Sequence, residues 1–224
     1  MSTQTKVVPP KAVLFDLDGT LLDTAPDLGA ALNTVLAAEQ RPLVSAAEYT
    51  PLASHGSAGL LRYAYGDEFE QRRDELRQAF LTAYAEQIAV HTQLFDGVAN
   101  LLKQLSQQKI AVAIVTNKPQ ALTQQLVPQY PQLASIKVVV SGDTLPVAKP
   151  DPAPLLHAAT HLGIAAQHCW YVGDAERDIE AGRRANMFTV LAEYGYISVT
   201  DDTLAWGAHA KISHPLDLPQ LWSN

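Results

Sequence analysis

Short apolar runs rich in β-branched residues punctuate the chain: AVLF at 12–15, IAVAIV at 110–115, IKVVV at 136–140, CWYV at 169–172 and MFTVL at 187–191. Runs this continuous suit strands buried on both faces of a parallel sheet. Between them lie stretches with helical spacing, at 96–108, 119–127, 152–162 and 176–185. The alternation predicts βαβ units, hence an α/β fold with a Rossmann-like parallel sheet. One interval breaks it. From about Thr24 to about His91 no strand pattern occurs. Residues 25–38 read as a helix, with Asp23 or Thr24 as N-cap and Pro26 in the first turn. Residues 68–88 read as one long amphipathic helix. The expected organisation is a core of 1–23 and 92–224, with a small helical domain, 24–91, inserted after the first strand.

The residues just after each apolar run carry the chemistry. The first run ends in Asp16-Leu17-Asp18-Gly19-Thr20, the second in Thr116-Asn117-Lys118, and the fourth in Gly173-Asp174 with Asp178 one helical turn on. Lys149-Pro150-Asp151-Pro152 precedes the helix at 152. In a parallel sheet such positions converge at the carboxyl edge, where ligands bind. Two aspartates one residue apart repel unless a positive charge sits between them or one keeps its proton. Asp16, Asp18 and Asp174 together suit a hard divalent cation such as Mg²⁺. Thr116 and Lys149 suit phosphate oxygens. One carboxylate would then act as nucleophile and the other as general acid and base.

Composition narrows the partners. The chain has 224 residues, 47% of them hydrophobic and 17% charged, which is a globular composition able to bury a sizeable core. The formal net charge of −7 argues against a nucleic-acid or anionic-membrane surface. Any anionic substrate must therefore meet local positive charge. One cysteine, Cys169, excludes an internal disulfide and fits a reducing cytoplasm. The N-terminal stretch MSTQTKVVPP has no apolar segment of signal-peptide length. No apolar run approaches the length of a membrane span. Nothing in the pattern argues for an oligomer rather than a monomer.

Four segments, DLDGT (16–20), VTNK (115–118), AKPDP (148–152) and VGDAERD (172–178), closely resemble the motifs of the haloacid dehalogenase superfamily, in the same order. The resemblance implies that Asp16 is the nucleophile and Asp18 the general acid and base. It implies that Thr116 and Lys149 bind the transferring phosphoryl group. Asp16, the Asp18 carbonyl and Asp174 would ligate Mg²⁺, with Asp178 supporting the metal from behind. Asn117 and Gly19 are candidate substrate contacts. The insert would be a cap that closes over the substrate and excludes water. Its Ser54-His55-Gly56 corner, at the head of SHGSAGLLR (54–62), is the candidate cap contact. An aspartate at position 18 fits phosphatases and phosphomutases, which must protonate an alcohol. DLDGTLLDTAPDL and TNKP resemble the phosphoglycolate phosphatase group. The segments 90–102 and 193–218 resemble bacterial N-acetylmuramic acid 6-phosphate phosphatases.

Plainer readings compete at several positions. Asp23 reads as a helix cap, Lys118 as a solvated lysine and Cys169 as an inert core residue. Asp178 could pair with Arg177, Arg183 or Arg184. Arg62 could meet an anionic substrate or lie free on the surface. Tyr194, Tyr196 and Trp206 could rim the site or cover the sheet edge. A sugar phosphomutase and a non-catalytic binding protein are the alternatives to a Mg²⁺-dependent phosphatase of a small metabolite.

Overall fold

A computed structural model describes residues 8–223. The stretch Met1–Val7, part of the segment read above for an export signal, lies outside the described residues, as does Asn224. The strands are β1 (Ala12–Phe15), β2 (Leu22–Asp23), β3 (Gln93–Leu94), β4 (Ala111–Val115), β5 (Val138–Val140), β6 (Cys169–Gly173), β7 (Phe188–Ala192) and β8 (Ala210–Ile212). Six of them form one all-parallel sheet in the order β5-β4-β1-β6-β7-β8. The five predicted strands are all present. The sixth, β8, escaped the sequence reading because three residues containing Lys211 at a sheet edge leave no apolar run.

β1 lies centrally, and its side chains alternate between two cores. Val13 and Phe15 face one apolar cluster, Ala12 and Leu14 the other. The second cluster is closed by α8 (Ala153–Leu162) and α9 (Glu176–Arg184), through Leu155, Ala158 and Ala181. The first includes α6 (Val98–Gln107), whose Val98, Leu101, Leu102 and Leu105 repeat every three or four residues. α7 (Gln120–Leu126) comes after β4, and α10 (Gln220–Ser223) is the last described helix.

The interval read as an insert is helical: α1 (Ala25–Ala38), α2 (Ala46–Tyr49), α3 (Gly56–Tyr65), α4 (Glu68–Gln71) and α5 (Arg73–Glu86). It is bracketed by β2 and β3, which pair antiparallel, Leu22 opposite Leu94 and Asp23 opposite Gln93. The single helix expected over 68–88 is two. At Arg72 the backbone leaves helical geometry (φ −118°, ψ 20°), and its guanidinium pins the corner to Glu39, Glu68 and Glu75. No helix among the described residues is long and apolar enough to cross a membrane.

Candidate active site

Asp16 directly follows β1 and Thr116 directly follows β4, on neighbouring strands in the middle of the sheet. Asp16 is buried, and its Oδ1 accepts from the Leu17 N–H at 2.7 Å and pairs with Lys149 Nζ at 2.9 Å. Oδ2 faces Arg177 Nη2 at 3.8 Å. The Lys149 ammonium is fully engaged: it also reaches Asp178 Oδ1 at 2.8 Å, the Val115 carbonyl at 2.9 Å and the Tyr171 hydroxyl at 2.8 Å. Burial holds the Asp16 carboxyl above its ordinary value, against the pull of Lys149. Asp178 is held below its ordinary value because Lys149 and Arg177 outweigh the effect of burial.

The repulsion posed by paired aspartates is met by giving each its own lysine. Asp18 does not share Lys149. Its Oδ1 takes Lys118 Nζ at 2.8 Å and the Thr24 hydroxyl at 2.7 Å. The reading of Lys118 as solvated is therefore wrong: it is buried, with its ammonium 4.5 Å from the centre of the Tyr84 ring. Burial opposes that charge, but Asp18 beside it holds the ammonium above its ordinary value. Tyr84 is buried too, and its hydroxyl has no hydrogen-bond partner among the described residues.

Asp174 comes just after β6 and is the carboxylate without a cation. Its Oδ1 accepts from the Thr20 hydroxyl at 3.1 Å, and its Oδ2 from the Ser54 hydroxyl at 2.5 Å and the Tyr196 N–H at 3.0 Å. Burial, then Asp178 and Asp16, push its carboxyl up to about 7. Oxygens of Asp16, Asp174 and Asp178 lie within 4.8 Å of one another. Three buried carboxylates against two cations, Lys149 and Arg177, form a hard, oxygen-only donor set with surplus negative charge, which fits a hard divalent cation. Asp18 is outside this set through its side chain, because its Oδ1 is committed to Lys118 and Thr24.

Asp174 makes the stability of the fold depend on pH. Between 3.8 and about 7 the folded chain holds a proton on this group that the unfolded chain has released. Raising pH through that window removes the proton and costs stability. Asp178 acts oppositely, but its contribution is complete once pH passes its ordinary value. In chelator, the melting temperature is expected to fall as pH rises from about 4 to about 7. Mg²⁺ is expected to raise it far more above this window than near its lower end. A flat profile with a pH-independent Mg²⁺ effect would count against the site.

A cleft of about 710 Å³ opens over these groups, lined by Asp16, Asp18, Thr116 and Arg177 from the sheet edge and by residues of the helical interval from the other side. The haloacid dehalogenase-like hydrolase family matches residues 13–192. The chain is a haloacid dehalogenase-like hydrolase. It is 44% identical over 213 residues, 95% of each chain, to a phosphoglycolate phosphatase of Xanthomonas campestris. It is 38% identical to an N-acetylmuramic acid 6-phosphate phosphatase of Pseudomonas aeruginosa over 93% of this chain and 92% of that one. The crystal structure of a predicted phosphoglycolate phosphatase from Haemophilus somnus superposes with a TM-score of 0.82 at 25% identity, covering 94% of this chain and 97% of that one.

In this hydrolase the sequence candidates take different places. Thr116 lines the cleft, and its Oγ1 accepts the Lys118 N–H at 3.1 Å, which leaves its own proton to donate. Asn117 also lines the cleft, and its side-chain amide donates to the Lys149 carbonyl at 2.9 Å and accepts the Lys149 N–H at 3.0 Å. These two bonds fix the backbone that carries the lysine and leave one amide N–H for another partner. Gly19 is not a wall of the cleft. Its φ is +82° and a Cβ there would come 2.2 Å from Asp174 Oδ2, so glycine lets the first loop close on that carboxylate. Ser54, His55 and Gly56 all line the cleft, so the corner of SHGSAGLLR is brought to the site, as a 3₁₀ turn running into α3 rather than as a loop. Asp23 does not cap α1: it accepts from the Tyr196 hydroxyl at 2.8 Å, and that hydroxyl accepts the Ala25 N–H at 2.9 Å. Asp178 pairs with Lys149 rather than with its arginine neighbours, and also accepts the Ala175 N–H at 3.0 Å. Burial pushes the Cys169 thiol up to about 11, in keeping with an inert core residue.

Two residues that touch the cluster, Arg177 and Tyr171, were not among the sequence candidates. Arg177 sits inside the fourth motif but reads as a surface arginine beside Asp178. Tyr171 is hidden in an apolar run, where only a buried hydroxyl needing a partner hints at a polar role.

Proposed function

We propose that this hydrolase is a Mg²⁺-dependent phosphomonoesterase that cleaves a small phosphorylated metabolite through an aspartyl-phosphate on Asp16. The observation that carries the reading is the asymmetry of the Asp16 carboxylate: Oδ1 is tied to Lys149 and the Leu17 N–H, while Oδ2 accepts no hydrogen bond among the described residues and has Arg177 Nη2 at 3.8 Å, on a residue that lines the cleft. Oδ2 is then the oxygen that attacks phosphorus. Thr116 donates its hydroxyl proton to a phosphoryl oxygen, and Arg177 takes another. Incoming phosphate competes for the Lys118 ammonium; Asp18, freed from that ion pair, takes up a proton from solvent, gives it to the departing alcohol, and then takes one back from the hydrolytic water, so that the proton lost to the alcohol is replaced. Asp16 and Asp174, with the Asp18 backbone carbonyl, are the groups that would hold Mg²⁺, with Asp178 behind them, its two oxygens taken by Lys149 and the Ala175 N–H; the ion would supply positive charge to the transferring phosphoryl group. We assign 24–91 as the cap, entered and left through the β2–β3 pair.

Asp18→Asn tests the division of labour. Turnover is expected to fall about 10²- to 10⁴-fold, the usual worth of general acid–base catalysis. The phosphoryl group should remain on Asp16 long enough to be found by mass spectrometry after acid quench. An unchanged rate with no trapped species contradicts the role.

The relatives' names point to two esters, 2-phosphoglycolate and N-acetylmuramic acid 6-phosphate. The cleft, about 710 Å³, favours the larger, since a two-carbon ester leaves most of it to water. The test is phosphate release with Mg²⁺ on a panel of both esters, hexose phosphates and β-glucose 1-phosphate, read as kcat/KM. A hundredfold preference, about 2.7 kcal/mol, assigns the substrate. Transfer of phosphate within one sugar, without release, overturns the phosphatase in favour of a mutase.

A further inference from the structure

The helical wall of the cleft carries charge that phosphoryl transfer does not use. Its acidic wall residues are Asp16 and Asp18, both at the sheet edge. The helical side contributes Arg62 and Arg77 and no acid, on a chain whose net charge is −7. The two arginines differ. Arg62 gives Nε and Nη2 to Glu70 Oε1, at 3.3 and 2.8 Å, and lies 5.1 Å from the centre of the Phe69 ring. Arg77 is exposed and is the cleft arginine with no hydrogen bond or ion pair among the described residues. Its presentation to the cleft is built into α5: residues 77, 80, 81 and 84 share one helical face, and Arg77, Phe80, Leu81 and Tyr84 all line the cleft. An uncommitted arginine therefore lines the helical wall of the cleft, on the same helix face as Phe80, Leu81 and Tyr84, while Asp16, Asp18 and Thr116 line it from the sheet edge.

We propose that Arg77 is a specificity-determining residue that binds a carboxylate on the alcohol half of the substrate, so that the hydrolase selects phosphate monoesters bearing a carboxylate. A planar guanidinium matches a planar carboxylate through two parallel hydrogen bonds, and its single charge balances one carboxylate. A second phosphate, with nearly two charges, calls for more than one free cation. The proposal rests on the phosphomonoesterase reading.

Matched ester pairs test it. N-acetylmuramic acid 6-phosphate and N-acetylglucosamine 6-phosphate differ by the lactyl arm that carries the carboxylate. 2-Phosphoglycolate and 2-hydroxyethyl phosphate differ by carboxylate against alcohol. With Arg77→Gln, KM for the preferred carboxylate ester is expected to rise at least tenfold with kcat nearly unchanged. The rise for its neutral mate should be several-fold smaller, and Arg77→Lys should recover part of the loss. Arg77 makes no bond within the described fold, so the melting temperature should not move. Equal losses on both members of a pair, or no loss on the carboxylate ester, overturn the assignment of Arg77 and leave the phosphatase standing. No phosphate release from any of the four esters by the unaltered chain overturns the phosphatase reading, and the assignment with it.

Discussion

Asp16→Asn is expected to abolish turnover, by about 10⁴-fold or more, as when a residue acting within a catalytic unit is removed. The folded chain should survive the change. Asp16 belongs to a set of three buried carboxylates facing Lys149 and Arg177, and burial already holds its carboxyl above the ordinary value. Removing one negative charge relieves repulsion, and Lys149 keeps Asp178, the Val115 carbonyl and Tyr171 as partners. The expected result is an inactive protein that melts at or above the temperature of the unaltered chain. Measurable turnover at a substantial fraction of the original rate would remove Asp16 from the nucleophile's place.

Lys149→Met reverses that balance. It leaves Asp16, Asp174 and Asp178 crowded without their buried cation, and strips the Tyr171 hydroxyl of its donor. Breaking a buried ion pair by removing one partner costs about 3–5 kcal/mol, because the remaining charge is uncompensated. The cost here should be largest above about pH 7 and shrink in acid, where the carboxylates take up protons. Activity should vanish with it, since nothing then fixes Asp16 Oδ1. Lys149→Arg should not restore the rate: Nζ meets four partners at 2.8–2.9 Å, and a planar fork cannot reproduce that arrangement. A Lys149→Met protein as stable as the original at neutral pH would show that the lysine is not what balances the cluster.

The strands and the edge they share were legible because burial on both faces leaves continuous apolar runs, and each run ends where its polar side chain must emerge. Asp16, Thr116 and Asp174 were found that way. The features that sequence reading missed depend on partners distant in the chain. Lys118 reads as solvated until Asp18, a hundred residues earlier, is placed 2.8 Å away. The bonds by which Asn117 holds the backbone of Lys149, 32 residues on, have no signal in the sequence. Gly19 reads as a candidate substrate contact, whereas the space it leaves is taken by Asp174. The break at Arg72 has no proline or glycine to announce it, and depends on acids from three segments. Sequence spacing therefore located the chemistry, and the ion pairing within it emerged only in three dimensions.

The proposed mechanism stands or falls on Asp16 carrying the phosphoryl group during turnover. Acid quench of the Asp18→Asn protein with Mg²⁺ and saturating substrate, with peptide mapping by mass spectrometry, reads this out. One phosphoryl group is expected, on the peptide bearing Asp16 and on that residue, absent when Asp16 is Asn. Steady phosphate release by the unaltered chain with no phosphoryl group on Asp16 at any quench time, and undiminished release by Asp16→Asn, would contradict it.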